Sequence, residues 1–185
     1  MKTSNPALLV IDVQKGIDET DHWGGNRNNP EAERNIEMLI EHWRKKRWPI
    51  IFIKHDSVHQ QSPFHPGQQG NALKNFIIPR DGEILLTKST ANAFVNTLLQ
   101  QELSQQGIRE LAVVGFVTNN SVEATARMAG DLGYITYVLS DATACFDKAG
   151  VNEITYGAQL IHLISLSNLK DEYARILTTQ QILNL

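Results

Sequence analysis

The chain has 185 residues, 42% of them hydrophobic and 20% charged, with a formal net charge of −3 at pH 7. That balance excludes a disordered chain and suits a single domain over residues 1–185 with a full core. The slight acidity removes any general electrostatic reason to expect nucleic acid as a partner.

The elements alternate along the chain. Ala7 to Val13 is a short apolar run ending in a carboxylate, the pattern of a buried parallel strand. Pro30 to Lys46 reads as a helix, with Pro30 in the first turn and Ile36, Leu39, Ile40 and Trp43 on one apolar face. Its basic end, Arg44 to Arg47, is read as a solvated helix terminus whose cations suit the dipole. Pro49 to Ile53 is a second strand. The polar stretch from His55 to Asp81 is long enough to be functional or mobile.

Ile84 to Thr87 is a strand, and Ala93 to Gln106 a helix closed by Gly107. Glu110 to Phe116 is a central strand, and Ser121 to Leu132 a helix closed by Gly133. A strand at Ile135 to Leu139 follows, then a helix at Asn152 to Ser165. Ala174 to Thr178 is a last strand before a short helical tail. This alternation argues for a parallel sheet covered on both faces.

One cysteine, Cys145, excludes an internal disulfide. Pro6 and Asp12 interrupt the early apolar run, so no signal peptide is read, and no apolar run reaches transmembrane length. A cytoplasmic protein without membrane attachment is expected.

Open α/β sheets bind ligands beyond the carboxyl ends of their strands. That rule singles out Asp12 to Gln14, Lys54 to Asp56, Thr87-Lys88, and Phe116 to Ser121. An acid at a strand end serves as a base, a metal ligand or a structural cap. A lysine after a strand is ordinarily solvated. Between Gly115 and Arg127 a strand runs into a polar turn, and Ser121 opens a helix. A nucleophile there gains from the positive helix end, and backbone N–H groups are available for an oxyanion. The plainer alternative is that Ser121 or Asn120 caps the helix.

Three segments resemble the signatures of the isochorismatase-like (cysteine hydrolase) superfamily. They are Ile11-Asp12-Val13-Gln14, the run Thr87-Lys88-Ser89-Thr90-Ala91-Asn92-Ala93-Phe94, and the run from Thr118 to Arg127 that holds Ser121-Val122 and Thr125-Ala126-Arg127. Asp-x-Gln, Lys-x-x-x-x-Ala-Phe and Thr-x-x-Cys-Val-x-x-Thr-Ala-Arg occur there in this order. Ser62-Pro63-Phe64-His65-Pro66-Gly67 and Ser140-Asp141-Ala142-Thr143 add to the likeness.

The resemblance implies a three-layer, Rossmann-like α/β fold. Its six-stranded parallel sheet has order 3-2-1-4-5-6 and helices on both faces, and the chain forms a dimer or larger homo-oligomer. It implies Asp12 as base, Lys88 as electrostatic partner, and a nucleophile at position 121. It also implies a cis peptide between Phe116 and Val117, with the N–H groups of Val117 and Ser121 as an oxyanion hole. Phe116, Gln14, His65 and Asn92 are expected at the substrate. Phe64 and His65-Pro66-Gly67 read either as a pocket lid or as an ordinary turn. The metal-binding nicotinamidase subgroup carries Asp-x-His, whereas Asp56 is followed here by Ser57 and Val58. No metal is expected despite His55, His59 and His65. No cofactor is expected either, since Gly-x-Gly-x-x-Gly is missing after the first strand.

The family's cysteine is replaced by Ser121. A thiol is readily shifted to thiolate by a lysine and a helix N-terminus. A serine hydroxyl must lose its proton during attack, to a positioned base. Cys145 lies after a different strand, among apolar neighbours, and does not substitute for it. Three readings stand: Ser121 is an acyl-forming nucleophile served by Asp12; Asp12 acts without a covalent step, as in isochorismatases lacking the cysteine; or the scaffold binds a small molecule or partner without chemistry. The first, a hydrolase of an amide-like C–N or related activated bond, is carried forward.

Overall fold

The computed structural model describes residues 5–184. Six parallel strands form the main sheet: β1 (Ala7–Ile11), β2 (Ile50–His55), β3 (Ile84–Lys88), β4 (Glu110–Phe116), β5 (Ile135–Ala144) and β6 (Arg175–Leu177). Their order is β3-β2-β1-β4-β5-β6, the order expected. The chain reverses direction across the sheet between β1 and β4, and their carboxyl ends frame a crevice there.

Five helices cover the sheet: α1 (Ala32–Lys46), α2 (Leu99–Gln105), α3 (Glu123–Asp131), α4 (Ala158–Leu169) and α5 (Thr179–Leu183). Two buried clusters explain the layering. Leu8 and Val10 of β1 pack with Ile36, Leu39, Ile40 and Trp43 of α1 and Ile182 of α5. Their alternates, Ala7, Leu9 and Ile11, pack with Leu99 and Leu103 of α2, Ala126 and Ala129 of α3, and Leu166 and Leu169 of α4. Successive strand residues point to opposite faces, so a strand covered on both sides is buried throughout and mostly apolar, as β1 and, apart from Glu110, β4 are.

Several expected boundaries move. The helix expected from Ala93 begins only at Leu99. Asn92 Oδ1 accepts from Phe94 N at 2.9 Å, and Thr97 Oγ1 accepts from Leu99 N at 3.2 Å. These short polar side chains offer the backbone turns in place of a helix. The helix expected from Asn152 begins at Ala158. Asp147 Oδ1 accepts from Ala158 N at 2.8 Å, and Lys148–Ala149 pairs antiparallel with Thr155–Tyr156 instead. The basic end of α1 is not simply solvated: Arg44 grips Glu83 with Nε–Oε1 at 2.7 Å and Nη2–Oε2 at 3.0 Å.

β5 runs on to Ala144, and its register with β4 shifts between Val113 and Gly115. Gly115 has φ +117°, and a Cβ there would lie 2.0 Å from Ile11 O, so only glycine lets β4 and β1 approach at their carboxyl ends. The long segment after β2 is tied down. Asn71 Nδ2 donates to Phe64 O at 2.6 Å and Asp56 Oδ1 at 2.8 Å, while Lys54 Nζ donates to Asn71 Oδ1 at 2.6 Å.

Candidate active site

Asp12 follows β1 in a left-handed conformation, φ 53°, which aspartate tolerates better than most residues. Its N–H donates to Ile53 O at 2.8 Å, and its side chain is 3% exposed. His55 and Lys88 end β2 and β3 as register partners, so parallel pairing brings them side by side.

Lys88 is the hub. Its fully buried Nζ lies 2.8 Å from Asp12 Oδ2, 3.1 Å from Thr90 O, 3.2 Å from His55 Nδ1 and 3.2 Å from Ser121 Oγ. An ammonium has three protons, so these four neighbours compete. Asp12 holds the shortest contact, and the two 3.2 Å contacts are the easiest to give up. Burial, and then the Lys88 charge, push the His55 pKa down, leaving a neutral imidazole able to accept at Nδ1. Asp12 Oδ1 is buried with no hydrogen-bond partner among the described residues. An unpaired buried carboxylate oxygen is costly and marks a group left ready for a ligand.

After β4 comes a cis peptide between Phe116 and Val117, as expected, and then a π-type turn from Thr118 to Val122 rather than an immediate α-helix. The turn is backed by α4. His162 Nδ1 lies 2.9 Å from Thr118 Oγ1, while Ser165 Oγ lies 2.6 Å from Glu123 Oε2 and 3.2 Å from Thr118 O. Burial lowers the His162 pKa, so this contact is made by a neutral ring.

Above the centre opens a cavity of about 440 Å³. Asp12, His55, Val117 and Ser121 line it, with Trp23 and Phe64 supplying aromatic wall. Trp23 Nε1 donates to Gly16 O at 2.8 Å, and its ring centroid lies 5.0 Å from that of Phe64.

Asp12, Lys88 and Ser121 are thus brought together, and Val117 joins Asp12 and Ser121 on the cavity wall. The other expected residues lie elsewhere. Gln14 faces the backbone: its Nε2 donates to His55 O and Asn71 O, both at 2.9 Å, and its Oε1 accepts from His55 N at 2.7 Å. It fixes the end of β2 rather than lining the cavity. Phe116 is buried below, with Arg27 Cζ 5.3 Å from its ring centroid. His65 and Asn92 are outside the lining. Cys145 is buried, its Sγ donates to Ala158 O at 3.1 Å, and burial together with the Asp147 charge pushes its thiol up to about 12. Trp23, Ser57 and Gln61 line the cavity without a motif to announce them, and Asn120, within the third signature run, lines it too. Among the described residues no three metal-ligating side chains are gathered.

A family model described as the isochorismatase domain matches residues 6–181. An isochorismatase family protein of Bacillus subtilis (strain 168), YrdC, is 43% identical, over 96% of this chain and 94% of its own. Nicotinamidase 3 of Arabidopsis thaliana is 30% identical, over 85% of this chain and 79% of its own. The crystal structure of an isochorismatase-family hydrolase from Chromobacterium violaceum ATCC 12472 shares 41% identity and superposes with a TM-score of 0.93, covering 100% of this chain and 94% of that one.

Proposed function

The chain belongs to the isochorismatase family and is a hydrolase, and on that premise we propose that it cleaves small amides with an Asp12-Lys88-Ser121 centre. The observation that carries this reading is the bare, buried Oδ1 of Asp12, a residue that lines the same cavity as Ser121. Ser121 Oγ attacks the amide carbonyl carbon, and its proton passes to Asp12 Oδ1. The carbonyl oxygen becomes an oxyanion met by the N–H groups of Val117 and Ser121. As the C–N bond breaks, Asp12 returns the proton to the departing amine. Water, deprotonated by Asp12, then attacks the seryl ester carbonyl; the bond from the acyl carbon to Oγ breaks, the acid leaves, and Asp12 returns its proton to Ser121 Oγ. Lys88 fixes the other carboxylate oxygen and stabilises charge building on Oγ. The likeness to nicotinamidase 3 favours an amide as the bond cleaved.

A second reading has one observation in its favour. Asp12 Oδ1 has no hydrogen bond to Ser121 at rest. Asp12 would then activate a water in the cavity directly, and Ser121 would only orient the substrate.

The test is ammonia release from nicotinamide and a panel of small primary amides. S121A reduces turnover to that of D12N if the serine is the nucleophile, and leaves a substantial part of it if water attacks. Absence of turnover of any amide by the parent protein overturns both. We also infer a cytoplasmic homo-oligomer. The family resemblance and the absence of a disulfide support it, and among the described residues no helix is long and apolar enough to cross a membrane.

A further inference from the structure

The cavity over Asp12 and Ser121 does not end at Trp23. A second cavity of about 290 Å³ adjoins it, and Trp23, Val117 and Asn120 line both. The second cavity adds Asn119, Phe146, Asp147 and Lys148. Trp23 and Phe146 are stacked, with centroids 6.1 Å apart and planes at 24°, and make a flat apolar wall.

Its polar groups are mostly unspent. Lys148 is exposed and has no ion pair among the described residues. The side-chain amides of Asn119 and Asn120 make no hydrogen bond among the described residues either, so they keep free donors. Asp147 is the opposing charge, but it is engaged. Its oxygens accept from Asn26 Nδ2 at 2.9 Å and from Ala158 N at 2.8 Å, at the N-terminus of α4, where the helix dipole offsets a negative charge. In the first cavity the situation is reversed. The ammonium beneath it, Lys88, is held by Asp12, and the Asp12 carboxylate repels a second anion.

We propose that the second cavity is a carboxylate subsite: the substrate is a small amide whose far end carries a carboxylate held by Lys148 and the Asn119 and Asn120 amides. This rests on the amide-hydrolase reading for the identity of the reacting end. A negative group is turned away from Asp12 and drawn to Lys148, and the molecule then lies along the Trp23–Phe146 wall with its carbonyl beside Ser121. Val117 and Asn120, shared by both cavities, make the path continuous.

The probes are benzamides that carry a para carboxylate on spacers of increasing length, each compared with an uncharged, methyl-ended mate. Affinity is measured by ligand-observed NMR on the intact protein, and hydrolysis is followed in the same tube. At least one carboxylate binds about 5-fold more tightly than its mate, the size of one well-placed surface charge pair, and added salt shrinks that ratio. K148M brings the ratio to near one, and N119D, which adds a repelling charge without touching the lysine, lowers it as well. If no spacer length shows a preference, or if the preference survives K148M, the subsite is overturned. A carboxylate preference without hydrolysis upholds the subsite and removes the amide-hydrolase reading. Hydrolysis without a preference does the reverse.

Discussion

Lys88 Nζ donates to Asp12 Oδ2 at 2.8 Å across a gap of 76 residues in sequence, and both side chains are sealed from solvent. Removing one member of such a pair leaves the other charge buried and unpaired. K88M should therefore cost about 3–5 kcal/mol of stability. D12N keeps the shape and leaves Lys88 the acceptors Thr90 O, Ser121 Oγ and His55 Nδ1, so it should cost less while lowering amide turnover by about 100- to 10,000-fold. Urea unfolding of both variants, beside their turnover, checks the contrast. Equal losses of stability would refute it.

Ser121 shares the same ammonium, so S121C places a thiol 3.2 Å from a buried positive charge, if Oγ and Sγ sit alike. Its pKa should fall below the ordinary value of about 8.5. K88A in that background should raise it again. The measurement is the pH dependence of alkylation, read by intact mass. Cys145, buried and pushed up to about 12, stays slow and serves as the internal reference. A new thiol that titrates like free cysteine would remove the nucleophilic reading.

Acid should destabilise the fold in two stages. Burial holds His162 and His55 below the ordinary histidine value of 6.5, with the Lys88 charge adding to the effect on His55. The unfolded chain then binds more protons than the folded one as pH drops through that value. Their contribution is full above pH 6.5 and is lost as pH falls toward their folded values. Glu33 and Glu83 follow. Burial alone would raise them, but Arg27 and Lys74 on Glu33, and Arg44 on Glu83, outweigh it and hold both below 4.5. That stability is present above 4.5 and is lost further down. Urea midpoints between pH 8 and pH 3 report both stages, and H162Q should flatten the first. A midpoint that does not change between pH 7 and pH 5 would contradict the histidine assignment.

Turnover should survive chelation. The donors that could hold a metal are scattered, with no group of three gathered among the described residues. Dialysis against EDTA followed by assay checks this. Loss of activity with recovery on adding zinc or iron would show it wrong.

Sedimentation should show a dimer or larger at micromolar concentration. Trp23 and Phe64 line the cavity. An apolar surface lies on α4, where Leu160, Leu163 and Ile164 are each about half exposed. L163E should shift the population toward monomer. A parent protein that is monomeric throughout would refute the prediction.

The amino-acid sequence by itself determined where the strands lie and which strand ends to watch, and the resemblance carried by its motifs implied their order and the three residues that meet at the centre. Buried parallel strands must be apolar on both faces, and the motif residues stand at strand ends, where the crossover rule puts ligands. The clearest cases are Ala7–Ile11 and Glu110–Phe116, which are apolar almost without interruption. Where α4 begins was decided by Asp147, which lies eleven residues from Ala158 and accepts from its N–H, whereas the late start of α2 is local, set by Asn92 and Thr97 bonding to the backbone two residues on in competition with the helix. Only the tertiary structure decided the use of the motif side chains. Gln14 belongs to the signature yet is bonded to the backbone of β2 and of the loop beyond, and Trp23 belongs to no signature yet divides two cavities. Periodicity reports which face of an element is buried. Which side chain closes a cavity depends on loops from four strand ends meeting in space, and no local pattern encodes that meeting.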